Sequence, residues 1–164
     1  KGIAVSGLAG GALGGQNTTA SGSYSVAVGG ISSEASGAHS SVFGGGEINA
    51  EGVKSVAVGG NSNYASGLFS TVVGGEDVEA SGSTTASLGG KTHDIAGAYA
   101  VIVGGLDSET NNQYGSVFGG YDNAVNANYG TVIAGQGNTA SGTYSLAVGG
   151  NTNAATDTDE VAVP

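Results

Sequence analysis

Residues 136–150 read Gln-Gly-Asn-Thr-Ala-Ser-Gly-Thr-Tyr-Ser-Leu-Ala-Val-Gly-Gly, and the rest of the chain is this unit varied. Laid out in blocks of fifteen, the sequence closes ten successive blocks on a Gly: Gly15, Gly30, Gly45, Gly60, Gly75, Gly90, Gly105, Gly120, Gly135 and Gly150. No insertion or deletion disturbs the frame. A short fixed period of this kind marks a stacked architecture, in which each unit is completed only by its neighbours. Fifteen residues at about 3.3 Å each give a loop of roughly 50 Å, room for two short strands and two turns. Coils stacking at about 4.8 Å then make a rod roughly 50 Å long.

Each position in the unit has its own chemistry. The thirteenth residue is large and apolar throughout (Leu13, Val28, Phe43, Val58, Val73, Leu88, Val103, Phe118, Ile133, Val148, Val163), which predicts that it faces a core. The fifth is mostly small or β-branched (Ala20, Ala35, Ala50, Ala65, Ala80, Ile95, Val125, Ala140) and reads as a second inward point. Gly recurs at the seventh and fourteenth positions, and both corners are expected to need a backbone that other residues adopt reluctantly. Asn112 and Ala127 replace the corner Gly at position seven, and Ala127 tolerates a left-handed conformation poorly, so its corner is expected to be reshaped. The β-branched runs between Gly residues are too short for helices and read as strands of a parallel β-solenoid.

Position twelve points to the opposite face of the strand from position thirteen. It too is small or apolar, as in Ala27, Val42, Ala57, Val72, Ile102, Val117, Val132 and Ala147. A strand apolar on both faces is covered on both. One face looks into its own coil and the other needs a partner, so the chain is expected to pack lengthwise against copies of itself. A monomer with one apolar face would carry a large exposed patch along its whole length. The strand residues expected to form these two contacts are Val26, Ala27, Val28, Val42, Phe43, Val56, Ala57, Val58, Val72, Val73, Val101, Ile102, Val103, Val117, Phe118, Val132, Ile133, Ala147 and Val148.

Composition bounds the function. The chain has 164 residues, 34 of them Gly, with charged residues at 10% and a net charge of −10. It carries three Lys and no Arg, which argues against a nucleic-acid surface, since phosphate binding needs a basic stripe. Without cysteine there is neither a disulfide nor a thiolate site. No apolar run approaches the length of a membrane span. Residues 1–15 and 151–164 are degenerate end coils of one array of about eleven repeats, which reads as a piece of a longer protein.

The recurrent Ser-Val-Ala-Val-Gly-Gly (25–30, 55–60), its variant Ser-Leu-Ala-Val-Gly-Gly (145–150) and the Ala-Ser-Gly triplets (20–22, 35–37, 65–67, 80–82, 140–142) resemble the head repeats of YadA-type trimeric autotransporter adhesins. The resemblance covers essentially the whole chain. It implies a left-handed parallel β-roll and a homotrimer with the Val-Ala-Val strands innermost. It further implies display on a bacterial outer membrane, attachment to host extracellular matrix or host cells, and no enzymatic activity or cofactor. The chain departs from such heads in its fifteen-residue unit and in lacking the neck, coiled-coil stalk and membrane anchor. The alternative within the same class is a spacer or fibre segment without a ligand of its own.

Candidate surfaces are few. Position nine carries Tyr24, Phe69, Tyr99, Tyr114, Tyr129 and Tyr144, a row suited to stacking between coils or to docking a protein ligand. Glu79, Asp94 and Glu109 share position four within a wider acidic group containing Asp77, Asp107 and Asp122. Such a row repels itself unless water or a cation intervenes, and a solvated acidic patch is the plainer reading. His39 and His93 sit at different repeat positions without recurring acidic or hydroxyl companions, so a surface role is expected rather than catalysis or metal binding. Asn63, Asn123, Asn138 and Asn153 share position three and predict a hydrogen-bonded ladder.

Overall fold

The computed structural model describes residues 2–164, and within them the fifteen-residue period becomes eleven coils of two strands each. Odd-numbered strands, from Ile3–Val5 to Ala154–Ala155, form one eleven-stranded parallel sheet. Even-numbered strands, from Gly11–Leu13 to Val161–Ala162, form the other. Pairing never slips from one period: Ala20 lies beside Ala35, and Val42 beside Ala57. The fold is therefore an all-β parallel solenoid, and no helix long and apolar enough to cross a membrane occurs among the described residues.

The solenoid's core is a narrow seam between the sheets. The fifth residue contributes Ala20, Ala35, Ala50, Ala65, Ala80, Ile95, Val125 and Ala140 from one side, all fully buried. From the other side the seam receives the twelfth residue, not the thirteenth: Ala27, Val42, Ala57, Val72, Ile102, Val117, Val132 and Ala147 are likewise at 0% exposure. The expectation that position thirteen faces a core therefore fails within the chain. A coil this slim admits Ala, Val or Ile at position twelve, whereas Phe43, Leu88 and Phe118 at position thirteen are too large and turn outward. Bulk is also traded across the seam. Where position five grows to Ile95, Thr110 and Val125, position ten shrinks to Ala100, Gly115 and Gly130. A Cβ on Gly130 would stand 2.7 Å from Val125 Cγ1.

The two Gly corners have different causes. At position fourteen the backbone is left-handed from Gly14 to Gly149, with φ of 56° even at Ala134, which carries a side chain, and a Cβ on Gly44 would meet open space. At position seven φ is not positive, which corrects the conformational reason expected there. The cause is close approach: a Cβ on Gly52 would lie 2.0 Å from the carbonyl oxygen of Gly67 in the next coil. Ala127 and Asn112 do reshape their corners. Elsewhere positions six and seven both donate to the position-five carbonyl of the next coil, as Gly52 N–H does to Ala65 O at 3.1 Å. At these two coils only Asn111 and Asn126, at position six, keep that bond.

Candidate functional site

Because position twelve is buried, alternation along the strand sends positions eleven and thirteen to the outer face of the second sheet. Leu13, Phe43, Val73, Leu88, Phe118, Ile133 and Val163 are all exposed there, between 39% and 70%. Val28, Val58, Val103 and Val148 are half-buried in the same row. At position eleven Val26 (37%), Val56, Val101 and Leu146 widen this row at intervals, separated in register by Ser41, Thr71, Ala86, Ser116 and Thr131. The face is a continuous apolar stripe along the array, an arrangement that costs free energy in water unless covered. Of the strand residues expected to make a core or an inter-chain contact, those at position twelve form the chain's own core and those at eleven and thirteen form this stripe.

Position nine lies in the turn after the first strand and is left-handed in every coil, with φ from 53° to 62°. That conformation disfavours side chains with a Cβ, yet it aims the aromatic rings along the array. Tyr99, Tyr114, Tyr129 and Tyr144 stack in one ladder, with centroids 5.0, 4.6 and 4.7 Å apart and planes within 17° of parallel. Tyr24 stacks on His39 at 4.9 Å, and Lys54 Nζ sits 5.0 Å from the centre of the Phe69 ring. The ladder is exposed along its length, but its ring faces are taken up by one another. It offers edges and hydroxyls to a partner.

The acidic residues line an open groove of about 430 Å³ on the outer face of the first sheet. One wall is the position-two row of Asp77, Thr92, Asp107 and Asp122; the other is Glu79, Asp94 and Glu109 at position four. In register, Glu79 lies beside Asp94 and Asp94 beside Glu109, so like charges stack at the spacing of the strands. Among the described residues no three His, Cys, Asp or Glu side chains converge where a metal ion would sit. Lys91 stands at the groove's edge, bonded to Glu76 Oε1 at 2.9 Å. That bond, then the Glu76 charge and the nearby Asp77 and Asp107, hold its ammonium above the ordinary Lys range.

His93 departs from the surface role expected of it, while His39 is exposed and stacked. At position three His93 is an inward residue, 2% exposed. Its Nδ1 lies 3.2 Å from Ser87 Oγ and its Nε2 lies 3.3 Å from Gly105 O. A neutral ring meets both, with Nε2–H donating to the carbonyl and Nδ1 accepting from the hydroxyl. Burial pushes the imidazole below its usual pKa, more than the Gly105 bond and the Asp107 charge raise it. The pair resembles a nucleophile and its base only in composition, since both groups face the closed interior. Sequence reading missed the contact, although Ser87 is a polar residue at position twelve, one coil before the polar ring at position three.

Position three also carries the Asn ladder. Asn123 Oδ1 accepts from Asn138 N–H, and Asn138 Oδ1 from Asn153 N–H, both at 2.9 Å. Asn138 Nδ2 donates to Ala134 O and Gly149 O, both at 2.9 Å. The ladder is internal and ties the double-Gly corners of successive coils together. Buried hydroxyls at position ten (Ser25, Ser40, Ser55, Ser70, Ser145) have no partner in their present rotamers. Thr85, at the same position, donates to Gly82 O at 3.0 Å, the bond that a rotated Ser side chain would make. No family model matches the chain, and no curated protein matches it either.

Proposed function

We propose that this chain is the non-enzymatic head of a bacterial surface adhesin, a left-handed roll of which three copies bundle lengthwise. It would be displayed outside the outer membrane and attach the cell to host extracellular matrix or host cells. The observation that carries this reading is the apolar stripe at position thirteen, widened in places by position eleven, which runs along the described coils and has no cover within the chain. Bundling about an axis on that face buries it and leaves the acidic groove and the tyrosine ladder outward. Those surfaces repeat at the coil spacing, so many weak contacts would act together on an extended ligand.

Sedimentation velocity on the chain tests the assembly. A particle of three chains is expected, and Val73→Asp with Leu88→Asp, both on the outer face, should reduce it to single chains or leave it insoluble. A folded, soluble single-chain parent at micromolar concentration would refute the reading. Binding to collagen, fibronectin, laminin and epithelial cells tests adhesion. Uniform failure of a trimeric parent would favour the alternative, a spacer without a ligand, for which the unbroken coil register speaks.

A further inference from the structure

The two rows that wall the acidic groove also wall a second furrow, of different chemistry. It has a volume of about 370 Å³ and lies on the outer face of the first sheet, in the coils before that groove. Position two supplies Asn17, Ser32 and Glu47 to one wall, and position four supplies Thr19, Glu34 and Asn49 to the other. Position three, between the rows, points inward, so the floor is sheet backbone. Tyr64 ends the furrow on the side of the acidic groove; it lies beside Asn49 in register and is 38% exposed. Unlike the position-nine tyrosines, Tyr64 stacks on no aromatic ring among the described residues. Both carboxylates are held by hydroxyls of neighbouring coils: Ser21 Oγ donates to Glu34 Oε1 at 3.0 Å, and Ser62 Oγ to Glu47 Oε2 at 3.3 Å. The second oxygen of each is left to accept from a ligand.

We propose that this furrow binds a neutral, extended β-1,4-linked polysaccharide lying along the array. The lining selects the class. Amides, hydroxyls and carboxylate oxygens match sugar hydroxyls, which both donate and accept, and an aromatic ring suits the C–H face of a pyranose. No Lys or Arg lines the furrow, so Glu34 and Glu47 would repel a sulfated, phosphorylated or sialylated chain. Tyr64 is the one large apolar group in the lining, too little for a lipid or an apolar helix. The spacing selects the geometry. Thr19 lies beside Glu34, Glu34 beside Asn49 and Asn49 beside Tyr64, each pair one coil or about 4.8 Å apart. An extended β-1,4-linked chain advances by nearly this distance per sugar, so three coil steps present polar groups to three successive rings. A peptide strand repeats its side chains on one face only every 6.8 Å or so, roughly, and falls out of step. Nor would it find an open edge there, because these strands already pair with the coils on either side. The inference goes beyond the adhesive reading and does not depend on bundling: one chain builds the furrow, on the sheet that does not carry the apolar stripe.

Titration of the full chain with cellohexaose and chitohexaose, read by backbone amide shifts, tests the site. At least one of the two should bind, with the shifts centred on Asn17, Glu34, Asn49 and Tyr64. Tyr64→Ala should weaken that binding about tenfold, the upper end of what an aromatic contact contributes. Tyr64→Phe, which keeps the ring, should stay close to the parent. Maltohexaose, whose α-linkages curl the chain out of step with the coils, should bind more weakly. Absence of binding by both β-linked hexaoses overturns the proposal, as does unchanged affinity in Tyr64→Ala, an equal loss in Tyr64→Phe, or equal affinity for maltohexaose. Preferential binding of an oligolysine peptide in the furrow would overturn it in favour of a cationic protein ligand. None of these outcomes bears on the three-chain particle, which sedimentation reads separately.

Discussion

Changing Gly52 to Ala should be among the most damaging single-methyl additions in this protein, although the conformation of Gly52 suits any residue. The added Cβ would lie 2.0 Å from Gly67 O and 2.6 Å from Gly67 C. Relief requires opening the two coils by roughly 1 Å at that corner, since contacts below about 3.0 Å do not persist. Opening stretches the bonds from Glu51 and Gly52 N–H to Ala65 O, now 3.0 and 3.1 Å. Two net hydrogen bonds at about 1 kcal/mol each, with about 1–3 kcal/mol of overpacking strain, give a loss of about 3–5 kcal/mol. The matched control is Gly44→Ala, where φ is +67° but a Cβ meets nothing within 4 Å. There the cost is only that of a left-handed Ala, about 1–2 kcal/mol, as the protein already tolerates at Ala134. Urea unfolding followed by circular dichroism ranks the two variants. If Gly44→Ala were as destabilising as Gly52→Ala, backbone conformation rather than coil spacing would govern the corner and the steric argument would be wrong.

Three other outcomes follow from the interior and the ladder. Because burial holds His93 below its ordinary value of 6.5, the unfolded chain takes up a proton that the folded site resists. Stability is therefore complete above about pH 6.5 and declines as pH falls toward the lower folded-state value; melting temperatures between pH 7.5 and 5 should show this slope, and His93→Asn should flatten it. Asn138→Ala removes two donated bonds and the acceptor for Asn153 N–H, leaving buried groups unpaired at about 1–3 kcal/mol each; a denaturant midpoint within error of the parent would contradict the ladder. Tyr114→Ala loses stacking on both Tyr99 and Tyr129, about 0.5–1.5 kcal/mol apiece. Tyr114→Gly should recover part of that loss by relieving the left-handed backbone, and a coupling near zero in a Tyr114/Tyr129 double-mutant cycle would show that the rings do not support each other.

The amino-acid sequence by itself determined the period, the strand positions, the parallel stacking and the places where the backbone must turn. Those features repeat in every coil, and repetition makes a weak local signal unambiguous. It determined the inward role of position five for the same reason, and the hydrogen-bonded ladder of Asn123, Asn138 and Asn153, which Asn63 does not join. Tertiary structure decided which of two apolar neighbours points inward. Alternation along a strand fixes only that Ala27 and Val28 face opposite ways; the width of the closed coil selects the smaller series at position twelve and expels Phe43 and Phe118. The same closure explains Gly at position seven, a contact between coils fifteen residues apart rather than a local backbone demand. It put His93 against Ser87. Each of these depends on what lies one coil away in space, which a linear reading supplies only once the radius of the coil is known.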